Sequence, residues 1–199
     1  MLIDVHVLVY PCSPQNWLDQ CLDSLKNEPI NLFIINAEDN RYENIGNYRI
    51  EGFSKGTEKY VSYVDADDYI IPGTFSKIIN DLHDSPNVAC TLEKLYYEER
   101  KEFHPVAVSN HHIKVFKRPF IKNFFHIYEK WGPYSDKVTM SVIGKKNVKK
   151  LNYIGYVWRI HENGWHLHIN RKIKTKQIKH QGRNIDYEVG AEKMYRDPK

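Results

Sequence analysis

Residues 65–68 read Asp65-Ala66-Asp67-Asp68 and follow the β-rich run Tyr60-Val61-Ser62-Tyr63-Val64. A strand that delivers three carboxylates to one tight corner sets like charges against one another, at a cost to stability. A bound divalent cation is the simplest compensation, and a cation at a strand's carboxyl end usually carries phosphate. The corner therefore points to an enzyme that handles a nucleotide diphosphate. A helix cap would need one Asp, not three. Asp39 follows a second strand-like run, Leu32-Phe33-Ile34-Ile35. Ligands of open α/β sheets bind beyond the carboxyl ends of strands. Asp39 is thus placed to accept hydrogen bonds from a base or ribose, although a turn residue in Glu38-Asp39-Asn40 reads the same way.

The elements that must position these residues follow from periodicity. Residues 2–10 are apolar and β-branched, a first strand. Ser13-Pro14 offers a helix cap and a proline at the first helical position, and Trp17, Cys21, Leu22 and Leu25 share one helical face. Residues 31–37 read as a buried parallel strand. A short strand is expected at 48–51 and a loop around Gly52 and Gly56, then the strand 60–64. Pro72 is expected to open a helix with the stripe Phe75, Ile78, Ile79 and Leu82. Further on, strands are expected at 88–92, 113–116 and 152–160, with weaker signals near Tyr96 and Val106. One aromatic helix is expected from Pro119 to Trp131 and another at 135–146. His111-His112 reads as a loop. This rhythm implies an α/β fold, a single Rossmann-like domain whose central, mostly parallel sheet is flanked by helices.

A chain of 199 residues with 41% hydrophobic and 13% aromatic content is expected to fold as one domain with a sizeable core. No apolar run approaches the roughly 20 residues of a spanning helix, and the start reads as a strand rather than a signal peptide. Cys12, Cys21 and Cys90 are scattered, which suggests reduced thiols and a cytoplasmic location. Charge is distributed unevenly. Residues 1–99 hold 7 Lys/Arg against 17 Asp/Glu, whereas residues 144–183 hold 11 against 1. An acidic half that holds a cation and a basic half that meets a polyanion is one reading, and a solvated lysine-rich face is the other.

The segment from Gly52 through Pro72, with its Asp65-Ala66-Asp67 core, resembles the DxD region of family-2 glycosyltransferases. Pro11 to Leu25 is similar to that family's first strand–helix unit. Tyr134-Ser135-Asp136 resembles its Glu-Asp motif at a helix start, with Ser135 in place of the usual Glu. Trp158-Arg159-Ile160-His161-Glu162-Asn163 resembles its Tyr-Arg-x-His segment. These ordered landmarks span about residues 3–165. The resemblance implies a GT-A fold and inverting sugar transfer from a nucleotide sugar, a UDP-sugar by expectation. It implies a nucleotide-sugar half over about 1–92, an acceptor half over about 93–165 and a basic extension over 166–199. It places Pro11, Asp39, Asp65, Ala66 and Asp67 at the nucleotide sugar, Asp67 and His161 at an Mn2+ or Mg2+ ion, and Asp136 as general base. Read from the residues alone, His161 is equally a hydrogen-bonded histidine at a strand exit.

Acceptor identity is less constrained. Trp131, just before Gly132-Pro133, is a candidate for stacking on the acceptor, and Arg159 a candidate contact. Lys172, Lys174 and Lys176 alternate with apolar and Thr residues and would form one basic strand face. Such a face attracts a polyanion by counterion release. The favoured acceptor is a hydroxymethylated pyrimidine in double-stranded phage DNA, which would place the enzyme in the host cytoplasm. A saccharide acceptor remains open, as does a non-catalytic nucleotide- or nucleic-acid-binding module. No membrane partner is expected, and the oligomeric state is not readable.

Overall fold

The computed structural model describes residues 1–39, 44–105 and 107–161, together with the strands at 176–180 and 183–187. Strand β1 (Ile3–Val9) is buried along nearly its whole length because neighbours lie on both sides and helices cover its faces. Helix α1 (Gln15–Leu25) starts one residue later than expected. The Pro14 carbonyl accepts from the amides of Trp17 and Leu18, and Ser13 Oγ accepts from Tyr10 N at 3.1 Å instead of capping the helix. Strand β2 (Ile30–Asn36) pairs parallel with β1, as expected, but forms the sheet edge. Its apolar run is therefore buried on one face only: Leu32 and Ile34 are 40% and 42% exposed, whereas Ile35 is 2% exposed.

Residues 45–54 depart from expectation. They form helix α2 (Ile45–Ser54), not a strand and loop. Its glycines are contact points rather than turns. A Cβ on Gly46 would lie 1.8 Å from the Tyr128 carbonyl oxygen, and one on Gly52 would lie 2.3 Å from the His6 ring. Only a helix without those atoms can lie this close both to β1 and to the segment that carries Tyr128.

Strand β3 (Tyr60–Asp65) pairs parallel with β1, so that Leu8 lies opposite Asp65 and His6 opposite Tyr63. The chain then turns, with Asp68 N donating to Asp65 O at 3.0 Å, into the short strand β4 (Tyr69–Ile70). Helix α3 (Thr74–Asp81) begins two residues after Pro72. Its N-terminal amides are satisfied from afar, Phe75 N and Ser76 N donating to Glu28 Oε2 at 2.9 and 3.3 Å.

Strands β5 (Val88–Tyr97), β6 (Glu102–Phe103) and β7 (Val108–Lys117) follow, and His111-His112 belong to β7 rather than a loop. The expected aromatic helix is two pieces, α4 (Arg118–Lys122) and α5 (Phe125–Trp131). A 3-10 turn over Gly132–Tyr134 leads to α6 (Ser135–Ile143), and a second over Lys145–Asn147 to β8 (Val148–Ile160).

The main sheet runs β2-β1-β3-β7-β5-β8-β4, with β6 on β5. The fold is α/β with a mixed sheet flanked by helices. Parallel pairing holds for β2-β1-β3, whereas β3–β7, β7–β5, β5–β6 and β8–β4 pair antiparallel. The chain divides into two units, Met1–Arg159 and Ile160–Lys199. The second contains an antiparallel pair, β9 (Lys176–His180) and β10 (Arg183–Tyr187).

Two expectations follow from this fold, the first on the glycine contacts. Gly46→Ala should destabilise the fold by about 2 kcal/mol or more in urea titration, because a backbone carbonyl must move. Gly73→Ala should cost only about 1 kcal/mol, since φ is 80° but nothing lies within 4 Å of the new methyl. The second concerns His6. Burial, then the nearby Arg49 charge, pushes its imidazole well below the ordinary range, with Asp136 opposing. The unfolded chain takes up a proton there near pH 6.5 and the folded chain does not. The stability from this site is complete above that pH and is lost as pH falls below it. Between pH 7 and 5, wild type should lose up to about 1.4 kcal/mol per pH unit more than His6→Asn. Equal slopes would mean His6 is protonated in the fold.

Candidate functional site

Because β1, β2 and β3 run parallel in register, their carboxyl ends open on one edge of the sheet. Pro11 lies exposed two residues past β1, and Asp39 lies half-buried three residues past β2. Tyr48 of α2 steadies this exit, its hydroxyl accepting from Glu38 N at 3.1 Å. Asp65 ends β3, and Ala66, Asp67 and Asp68 form the turn after it.

The three carboxylates of the corner are treated differently by the fold. Asp65 pairs with the guanidinium of Arg49, which is 2% exposed and lies 3.7 Å over the Tyr63 ring. Asp68 is buried and accepts from Tyr156 Oη and Arg159 N, both at 2.7 Å. Burial, together with Asp67 and Asp65, pushes its carboxyl well above the usual range. Asp67 stays half-exposed, and its backbone carbonyl accepts from Arg159 Nε at 2.7 Å. Protein groups therefore relieve much of the crowding that, on sequence alone, called for a cation. Burial and the three carboxylates push the Cys21 thiol beneath them strongly upward, so it stays protonated.

Arg159 is placed otherwise than expected. It is 4% exposed, bonded to Glu98 and Gln20 and enclosed by the rings of Trp17, Tyr69 and Tyr96. It clamps the acidic turn to α1 and β5 and presents no surface to an acceptor. Trp131 is 4% exposed at the end of α5, so its ring has no open face for stacking. Lys172 and Lys174 lie outside the described residues, and Lys176 begins β9, with its side chain outside them. His161 directly follows β8 and is buried.

Asp136 is the second residue of α6, half-buried, where a helix N-terminus favours a carboxylate. Tyr128 Oη donates to its Oδ1 at 3.1 Å. The Asp136 charge is felt by His6, Arg49 and Tyr63, so it lies near the guanidinium that holds Asp65. Burial opposes the Arg49 charge, but Asp65, Tyr63 and Asp136 together hold it firmly protonated. Arg49 Nε and Nη1 are buried without protein partners among the described residues, two donors in reserve beside the corner. Sequence reasoning passed over Arg49, Tyr128 and Tyr156. Arg49 is one of several cations in the segment leading to the acidic corner, with Lys55 and Lys59, so nothing singled it out, and the expected strand at 48–51 hid its orientation.

Asp67, half-exposed on the turn, is an oxygen ligand of the type that a hard divalent ion takes from one or two carboxylates plus substrate phosphate. Among the described residues, no group of three or more His, Cys, Asp or Glu could hold a metal alone. No helix among the described residues is long and apolar enough to cross a membrane.

No curated protein matches the chain by sequence. Among solved structures, the 1–349 fragment of S. aureus TarS superposes with a TM-score of 0.59 at 16% identity, over 80% of this chain and 60% of that one. The same fragment in complex with UDP-GlcNAc gives 0.60 at 16% identity, over 86% and 62%. With UDP it gives 0.59 at 18% identity, over 80% and 61%. The chain thus spans about three-fifths of that fragment, and the likeness is one of fold. The profile of Glycosyl transferase family 2 matches residues 12–147, which carry α1, the acidic corner and Asp136, and the chain belongs to that family.

Proposed function

We propose that the chain is an inverting glycosyltransferase that moves a sugar from a nucleotide sugar to a hydroxyl acceptor. The supporting observation is that Arg49 pairs with Asp65 of the corner and also feels the charge of Asp136. A nucleotide end and a candidate base thus converge on one buried cation. In this reading Pro11 and Asp39 meet the base, and Asp65 and Ala66 the ribose and diphosphate. Asp67 would help hold Mn2+ or Mg2+, which when bound neutralises the leaving diphosphate as a Lewis acid. Asp136 takes the acceptor hydroxyl's proton as that oxygen bonds the anomeric carbon. The bond from this carbon to the diphosphate oxygen breaks, the electron pair staying with the diphosphate. One displacement inverts the anomeric centre.

A UDP-sugar is the proposed donor, since the same fold in TarS has been solved with UDP and with UDP-GlcNAc. We assign the nucleotide-sugar half to about 1–92, the acceptor half to about 93–165 and a basic extension to 166–199. The proposed acceptor is a hydroxymethylated pyrimidine in phage DNA, with action in the host cytoplasm. Its support is the surplus of 11 Lys/Arg over 1 acid across residues 144–183. The losses of Arg159 and Trp131 from the acceptor surface leave this basic stretch to carry the reading. A saccharide acceptor is the competing outcome, and a binding module without catalysis the third.

Asp136→Asn should lower transfer by roughly 10²–10⁴-fold. The thermal shift with UDP and Mn2+ should persist in that variant, and wild-type turnover would reject the assignment. Fluorescence anisotropy with a hydroxymethylcytosine duplex should show binding at 50 mM salt that weakens steeply by 200 mM. No binding at the lower salt would turn the acceptor reading to saccharides. Absence of metal-dependent UDP release from a series of UDP-sugars would favour the binding module.

A further inference from the structure

We propose that Tyr128 is a positioning residue for Asp136: its hydroxyl fixes the carboxylate's orientation and tunes how readily it takes a proton. The inference rests on the reading of Asp136 as the base. Tyr128 is fully buried, and a buried tyrosine hydroxyl needs a partner. Here that partner is the Asp136 carboxylate, at 3.1 Å.

The phenol is held in place from two sides. Its ring meets Phe53 of α2 edge-on, with centroids 5.4 Å apart. Its backbone carbonyl occupies the space that a Cβ on Gly46 would fill. The ring is therefore held in place, with Thr139 of α6 also beside the hydroxyl, and the carboxylate oxygen that the hydroxyl meets is restrained with it. Burial and the nearby Asp136 keep this phenol protonated far above its ordinary value, so it acts as a donor throughout the working range of an enzyme.

Among the described residues, groups that feel the Asp136 charge include His6 on β1, Arg49 on α2, Tyr63 on β3 and Tyr128 on α5. Burial keeps His6 and Tyr63 neutral. Arg49 and Tyr128 favour the ionised carboxylate. Arg49 is already engaged by Asp65, whereas the Tyr128 hydroxyl donates to Asp136 directly. A donor to the charged form makes a carboxylate a weaker base. It also keeps one oxygen from rotating out of line with the reacting hydroxyl.

The test titrates Asp136 directly. Carbonyl-labelled aspartate, with the Asp136 resonance identified by its loss in Asp136→Asn, gives its pKa by NMR without any substrate. Tyr128→Phe should raise that pKa by about half a unit to one unit. Site-specific 3,5-difluorotyrosine at position 128 is a stronger donor and should lower it. This second variant decides the matter if Tyr128→Phe fails to fold. The acid limb of UDP release from UDP-GlcNAc with Mn2+ should move in step, with the KM for UDP-GlcNAc unchanged. An unshifted Asp136 in the folded variants overturns the proposal and leaves the base assignment standing. Wild-type transfer by Asp136→Asn overturns the base assignment, and the role of Tyr128 with it.

Discussion

A single buried guanidinium organises the acidic corner of this fold. Arg49 is 2% exposed, and removing a cation from water costs several kcal/mol after relaxation. Asp65, the face of Tyr63 and the nearby Asp136 charge offset that cost together. Such an arrangement is a poor source of net stability, since a hydrophobic cluster of equal volume would do as well or better. Its consequence is geometric. Asp65 comes from a strand end, Asp136 from a helix start 71 positions later, and Arg49 from a third element, so three separate segments must agree in position before the charge is tolerated.

The acidic corner follows the same logic by other means. Crowded carboxylates can be relieved by a cation, by opposite charge or by protonation. Asp65 is met by Arg49, and Asp68 by Tyr156 and the Arg159 amide. Arg159 adds a clamp on the turn itself through the Asp67 carbonyl. With its neighbours fixed in this way, Asp67 is held at a defined place on the turn while keeping part of its side chain open to solvent. Rigid neighbours around a half-exposed carboxylate are what a weakly ligated divalent ion and a diphosphate would need.

Strong periodic signals in the sequence made much of the fold legible. The strands β1, β3 and β8, the stripe of α3 and the acidic turn after β3 all lie where alternation and apolar spacing place them. Three kinds of feature were not legible. Burial of a strand depends on its place in the sheet, so the apolar run of β2 looked interior although it forms an edge. Glycine reads as a turn signal, but Gly46 and Gly52 exist for close approach to Tyr128 and His6, which only the tertiary structure reveals. Long-range partnership is also silent in a linear chain. Arg159 looked like a ligand contact because its neighbours are Trp158 and His161, and its true partners Glu98, Gln20 and Asp67 are 61, 139 and 92 positions away.

Helix α2 therefore has a role that its weak pattern conceals. Its Gly52 seats it on β1, its Arg49 reaches the end of β3, and its Gly46 presses against the Tyr128 carbonyl of α5. Tyr128 in turn holds Asp136 at the start of α6. The edge that would bind a nucleotide and the helix that would carry the base are thus linked through direct contacts along one ten-residue helix. Close-packed interiors transmit displacement because they have little room to absorb it. A shift of the Asp65–Arg49 pair when a diphosphate arrives would be resisted by α2 and felt at Tyr128, which makes the spacing between the two carboxylates a property of α2 more than of either loop that bears them.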